Sequence, residues 1–181
     1  MIVCLGWGSL IWNPNGLEID GQWQPNGPPV PVEYLRQSDN GRLTLVIDKA
    51  VPRSRALWAK MQTMDLAAAM ENLRLREGNT LIEYIGRWRY GEPDPGEIPG
   101  LADWAQSIQA SAVIWTALPA RFAGEDFRRP DYSEVLQYLS ALPQHIKPIA
   151  EEYVRRTPAQ IRTRYRDYLE TDLGWEPVVG T

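Results

Sequence analysis

Cysteine and histidine are nearly missing from this chain of 181 residues, each occurring once, as Cys4 and His145. A lone cysteine makes no internal disulfide, and beside Ile2, Val3 and Leu5 it reads as a small buried residue. The pair supplies neither a metal-ligand set nor a Cys-His nucleophile, and no nucleophile-elbow motif accompanies His145 to build a Ser-His-Asp triad. No apolar run approaches the roughly 18 residues of a membrane span, and no basic segment precedes an apolar one as in a secretory signal. No Ser/Gly-rich linker divides the sequence, so one domain over residues 1–181 is expected, in a reducing, cytoplasmic setting. A formal net charge of −4 argues against a nucleic-acid partner, and no membrane partner is expected. Cofactors and metals are not called for, and the oligomeric state is left open. What is plentiful is tryptophan, eight residues that suit either an aromatic-lined cavity or simple core filling.

The chain is organised around its first stretch. The apolar run Ile2-Val3-Cys4-Leu5 ends abruptly in Gly6-Trp7-Gly8-Ser9, which reads as a buried strand feeding a glycine-bracketed loop. Without Cβ atoms at Gly6 and Gly8 the backbone can approach a ligand closely, and successive N–H groups can line a concavity suited to an anion. A plain turn at a strand end is the other reading.

Further along, turn formers fill residues 13–29, which read as a surface excursion. Residues 30–37 and 42–48 are strands joined by Ser38-Asp39-Asn40-Gly41, a hairpin. Residues 55–62, 80–90 and 111–118 are further strands, residues 91–100 a loop, and residues 101–109 hold a short helical turn. Helices are expected over 131–142 and 146–156, with a last one from Thr157-Pro158 that carries Arg162, Arg164 and Arg166 beside Ile161, Tyr165 and Tyr168. That arginine stripe reads as a solvated face rather than an RNA contact. The element set implies an α+β fold, a mixed and partly closed β-barrel with one inserted helix and C-terminal helices.

The inserted helix covers residues 65–76, with Asp65 or Thr63 as its cap and Gly78 as its left-handed stop. Its apolar stripe is Leu66, Met70 and Leu73, and one further step of four reaches Glu77. Eleven residues from Leu66 are close to three turns at about 3.6 residues each, so Glu77 projects from the inward face. It is then either a helix-end carboxylate that turns to water or pairs with Arg74 or Arg76, or a general acid/base at the rim of a pocket.

Gly6-Trp7-Gly8-Ser9-Leu10-Ile11-Trp12-Asn13-Pro14 resembles the opening motif of the gamma-glutamylcyclotransferase family, most closely its ChaC-like branch, with Trp7 where the family usually has tyrosine. Arg36-Gln37-Ser38-Asp39 with Gly41-Arg42 is similar to a second block of that branch, and Leu73-Arg74-Leu75-Arg76-Glu77-Gly78 to the stretch whose acid is the family's catalytic glutamate. The resemblance spans residues 1–118. It implies a metal-independent enzyme that releases 5-oxoproline from a small-molecule γ-glutamyl substrate by attack of the α-amine on the γ-carbonyl. On that basis Glu77 is the catalytic residue, and Trp7, Gly8, Ser9 and Leu10 bind substrate through their backbone. Trp115 stands where related proteins carry a cavity-facing tyrosine and is either a further substrate contact or core. Indole donates a hydrogen bond but accepts none, so the exact γ-glutamyl compound, glutathione or a smaller or more apolar conjugate, stays open. A non-catalytic binding or interaction module on the same fold is the alternative.

Overall fold

The structure, a computed structural model, describes residues 1–78 and 80–178. In chain order it contains β1 (Ile2–Gly6), β2 (Ile19–Gln24), β3 (Pro29–Gln37), β4 (Leu43–Ile47), β5 (Arg53–Arg55), β6 (Leu57–Met61) and α1 (Leu66–Arg76). There follow β7 (Ile85–Arg89), α2 (Leu101–Ser107), β8 (Ala112–Thr116), β9 (Arg121–Phe122), β10 (Glu125–Asp126), α3 (Tyr132–Ser140), α4 (Lys147–Arg156) and α5 (Arg164–Leu173). The class is α+β, with two mixed sheets. One has the order β2-β6-β1-β8-β7; the other runs β10-β9-β3-β4, with β5 paired to β3. Both sheets are open among the described residues, so the expected barrel closure is not part of the observed ladders.

β1 is the central strand of the first sheet, antiparallel to β6 and parallel to β8. All five of its residues are buried. Its alternation sends Val3 and Leu5 into the main core and Ile2 and Cys4 into a second core under α1, with Leu66, Ala69 and Leu73. Cover on both faces is why the strand is apolar throughout instead of alternating. Asp65 caps α1 by accepting from the N–H groups of Ala67 and Ala68 at 2.8 and 3.3 Å. At its other end the Glu77 N–H reaches the Leu73 carbonyl, and Gly78 (φ +78°) ends the helix in the left-handed region, as the sequence suggests.

Five elements depart from the sequence reading. The excursion at 13–29 contains β2, an edge strand of mostly polar residues whose register on β6 shifts across Gly21 (φ +88°), which hides its periodicity. Residues 80–90 open with a 3₁₀ turn at Ile82–Tyr84, because the partner strand β8 pairs only from Thr116, opposite Ile85. Two-residue strands β9 and β10 are too short to leave a pattern. The last helix starts at Arg164 rather than Pro158, and the cause is Arg166. Fully buried, Arg166 donates to the carbonyls of Thr157, Pro158 and Ile161 at 2.8 to 2.9 Å, taking acceptors that an earlier helix start would use, while Thr163 caps the helix that does form. The arginine stripe is thus not a uniform solvated face: Arg166 pairs with Glu170, and exposed Arg162 with Asp167 and Glu170. No helix among the described residues is long and apolar enough to cross a membrane.

Glu33, 2% exposed in β3, anchors α5 by accepting from the Thr163 hydroxyl at 2.6 Å and the Tyr165 N–H at 3.2 Å. Burial raises its pKa above the usual carboxylate range despite these donors. The folded chain therefore keeps a proton that the unfolded chain has lost, and stability declines as pH rises from the ordinary carboxylate range through the folded value. Urea denaturation across this window should show the wild type losing stability relative to Glu33→Gln as pH rises; a flat difference would contradict it. Arg166→Met should cost about 3–5 kcal/mol in the same assay, since it removes the buried partner of Glu170 and the guanidinium that donates to three carbonyls at once.

Candidate functional site

A cavity of about 320 Å³ opens where the ends of several elements meet. The loop after β1 supplies Trp7, Gly8, Ser9 and Leu10, the end of α1 supplies Arg76, Glu77 and Gly78, and the β3–β4 hairpin supplies Arg36, Asp39 and Arg42. Thr116 and Leu118 follow from β8, Arg121 from β9 and Tyr153 from α4. Glu77 and the glycine loop, 67 or more residues apart in sequence, therefore share one hollow. Trp115 does not line it. Its ring, 1% exposed, packs under Gly86 in the main core so closely that a Cβ at Gly86 would collide with the indole. The alternation of β8 turns Thr116 to the cavity instead.

Glu77 does not swing out to water; it pairs with Arg76, one of the two partners that the helix-end reading allowed, and it does so on the cavity wall. Its side chain is 13% exposed and accepts from the Arg76 guanidinium at 2.8 Å, with Arg76 itself 10% exposed. Arg76 also reaches the Ser9 hydroxyl at 3.2 Å and the Asn13 carbonyl at 2.7 Å, which ties the end of α1 to the glycine loop. Arg76 Nε and Thr116 Oγ1 are buried polar atoms without a protein partner among the described residues, and both residues line the cavity. Such groups are rare in protein interiors, where nearly every buried polar atom is satisfied.

The loop completes the picture. The Ile11 and Asn13 N–H groups close turns on the carbonyls of Gly8 and Ser9, at 3.1 and 2.8 Å, while the N–H groups of residues 7–10 donate to no protein acceptor among the described residues. The Trp7 indole is spent on the Leu45 carbonyl at 3.4 Å and fills core below the loop. Four arginines (36, 42, 76, 121) against Asp39 and Glu77 make the lining electropositive, which with free amides suits a carboxylate or another anion.

Cys4 and His145 contribute nothing to the cavity lining. Burial pushes the Cys4 thiol up, and Glu77 acts in the same direction, so it stays protonated. His145 is exposed ahead of α4, outside the cavity lining. Among the described residues no three His, Cys, Asp or Glu side chains gather closely enough to share a metal ion. Sequence reasoning missed Thr116, Arg121 and Tyr153; only Tyr153 left a trace, as a phenol on the apolar face of its helix with Ala150 and Val154.

No family model, curated protein or solved structure matches this chain.

Gly8 is required by contact: a Cβ there would run into the Tyr153 hydroxyl. Gly8→Ala should cost about 1–3 kcal/mol through overpacking, and distinctly less when Tyr153→Phe removes the oxygen it strikes. Equal costs in the two backgrounds by thermal or urea denaturation would contradict that contact.

Proposed function

We propose that this protein is a gamma-glutamylcyclotransferase-like enzyme, built on a variant of that fold, which releases 5-oxoproline from a γ-glutamyl compound. The observation that carries the reading is the meeting of a partly buried carboxylate, Glu77, with the free amides of a glycine loop across one electropositive hollow. The resemblance of the motif at residues 6–14 and of Arg76-Glu77 to the ChaC-like branch supports it independently.

In this reading the loop amides and arginines hold the substrate's carboxylate, and the α-amine sits against Glu77. Glu77 takes a proton from the amine as the nitrogen attacks the γ-carbonyl. The new N–C bond closes a five-membered ring, and the carbonyl oxygen carries the developing negative charge. When the tetrahedral centre collapses, the original amide C–N bond breaks and Glu77 returns the proton to the departing nitrogen. Atoms and charge balance without a further reactant. Arg76 holds one Glu77 oxygen, and the other has no donor among the described residues, so it is free to face the amine. Confinement of both reacting groups in one small cavity favours ring closure.

The test is to incubate the protein with glutathione, γ-glutamyl amino acids and γ-glutamyl amines and to measure 5-oxoproline. Glu77→Gln, which can still accept from Arg76, should lower the rate by about a hundredfold or more. Product formed equally well by the variant would overturn the role of Glu77. Saturable ligand binding without product from any substrate would favour the non-catalytic binding module instead.

A further inference from the structure

Among the described residues Tyr153 is the one cavity residue delivered by the C-terminal helices, and its surroundings are unusual for a core tyrosine. It is 5% exposed on α4. Its ring is gripped edge-on by Trp12 and Tyr34, with centroids 5.6 and 6.3 Å away, and the Arg42 guanidinium lies 5.5 Å from the ring centre. This grip fixes where the hydroxyl sits. The oxygen presses on Gly8 at the point where any other residue would place its Cβ, beside the loop whose amides are unspent.

The hydroxyl is only half used. It accepts from the Leu45 N–H at 3.3 Å, but its own proton has no acceptor among the described residues. A buried O–H is nearly always spent, so the cavity is where this donor finds its partner. Tyr153 also forms part of the wall between the 320 Å³ cavity and a second hollow of about 250 Å³, lined by Trp12, Asn13, Glu152 and Arg156. The second hollow is not the target: its carboxylate, Glu152, is paired with Arg156 at 2.9 Å.

We propose that the Tyr153 hydroxyl completes the anion site of the glycine loop, donating to the same carboxylate or oxyanion oxygen of the ligand that the amides of residues 8–10 face. The phenol is suited to this as a neutral donor, since burial pushes its pKa up to about 12 and it does not compete with the ligand as an anion. The Leu45 N–H behind it polarises the O–H toward the cavity. For the identity of the ligand, though not for the donor, the proposal rests on the cyclotransferase reading.

The probe is 5-oxo-L-proline, with its uncharged carboxamide as control, measured by calorimetric titration against wild type and Tyr153→Phe. The substitution keeps the ring and its aromatic neighbours and removes one oxygen. The wild type should bind the acid and discriminate against the amide, and the variant should bind the acid about tenfold or more weakly, with the preference reduced. In the wild type, 13Cζ-labelled tyrosine should also show the Tyr153 resonance moving as the acid is added, a readout that does not depend on the variant folding well. Acid binding within twofold in the variant, an unmoved resonance, or no binding of the acid to the wild type would each overturn the proposal. Carboxylate binding that depends on Tyr153 without 5-oxoproline formation from any γ-glutamyl compound would sustain it while sinking the cyclotransferase. If Tyr153 meets the oxyanion, Tyr153→Phe lowers kcat; if it meets the ground-state carboxylate, it raises KM.

Discussion

A guanidinium and a carboxylate that are neighbours in sequence, Arg76 and Glu77, lie turned inward at the end of α1. Taking two charges out of water costs several kcal/mol per ion, and their attraction repays this only when every remaining donor and acceptor is satisfied. Here the accounts do not close, because Arg76 Nε has no partner and one Glu77 oxygen has no donor among the described residues. A pair held only for stability would be a poor choice at this position. Held for a ligand, it makes sense: both residues line the cavity, and Arg76 also fastens the glycine loop through Ser9 and Asn13, so the two halves of the site are tied together.

The rest of the fold can be read as the support for that arrangement. β1 is apolar on both faces because α1 covers one and the main core the other, and the same strand fixes where the loop emerges. α1 packs on β7 and β8, so its last turn arrives at the ends of β1 and β8 where the loop also lies. α5 is tied to β3 through Glu33 and braced by buried Arg166. α4 then brings Tyr153 over the loop, close enough to make glycine obligatory at position 8.

How much of this was legible in the sequence varies with the range of the interaction. β1, its glycine loop, the hairpin at 38–41 and α1 with its cap and stop depend on neighbouring residues, and each could be read from the chain. Glu77 could be placed inward because helical spacing from Leu66 is arithmetic. Trp115 was ambiguous because a strand alternation fixes two faces but not which of them meets the cavity; that depended on Gly86 across the ladder. Arg166 was misread because a buried guanidinium looks like any other member of a basic stripe until the carbonyls of Thr157, Pro158 and Ile161 are brought to it. Tyr153 was invisible as a site residue because its role comes from a contact 145 residues away, with Gly8.

The most direct test of the central claim, that the glycine loop and the end of α1 frame one ligand site, is amide chemical-shift mapping by NMR during titration with 5-oxo-L-proline. The account predicts saturable shifts concentrated on the amides of residues 7–10, on Arg76 and Glu77 and on Thr116. Shifts clustered elsewhere, or none at millimolar ligand, would contradict it.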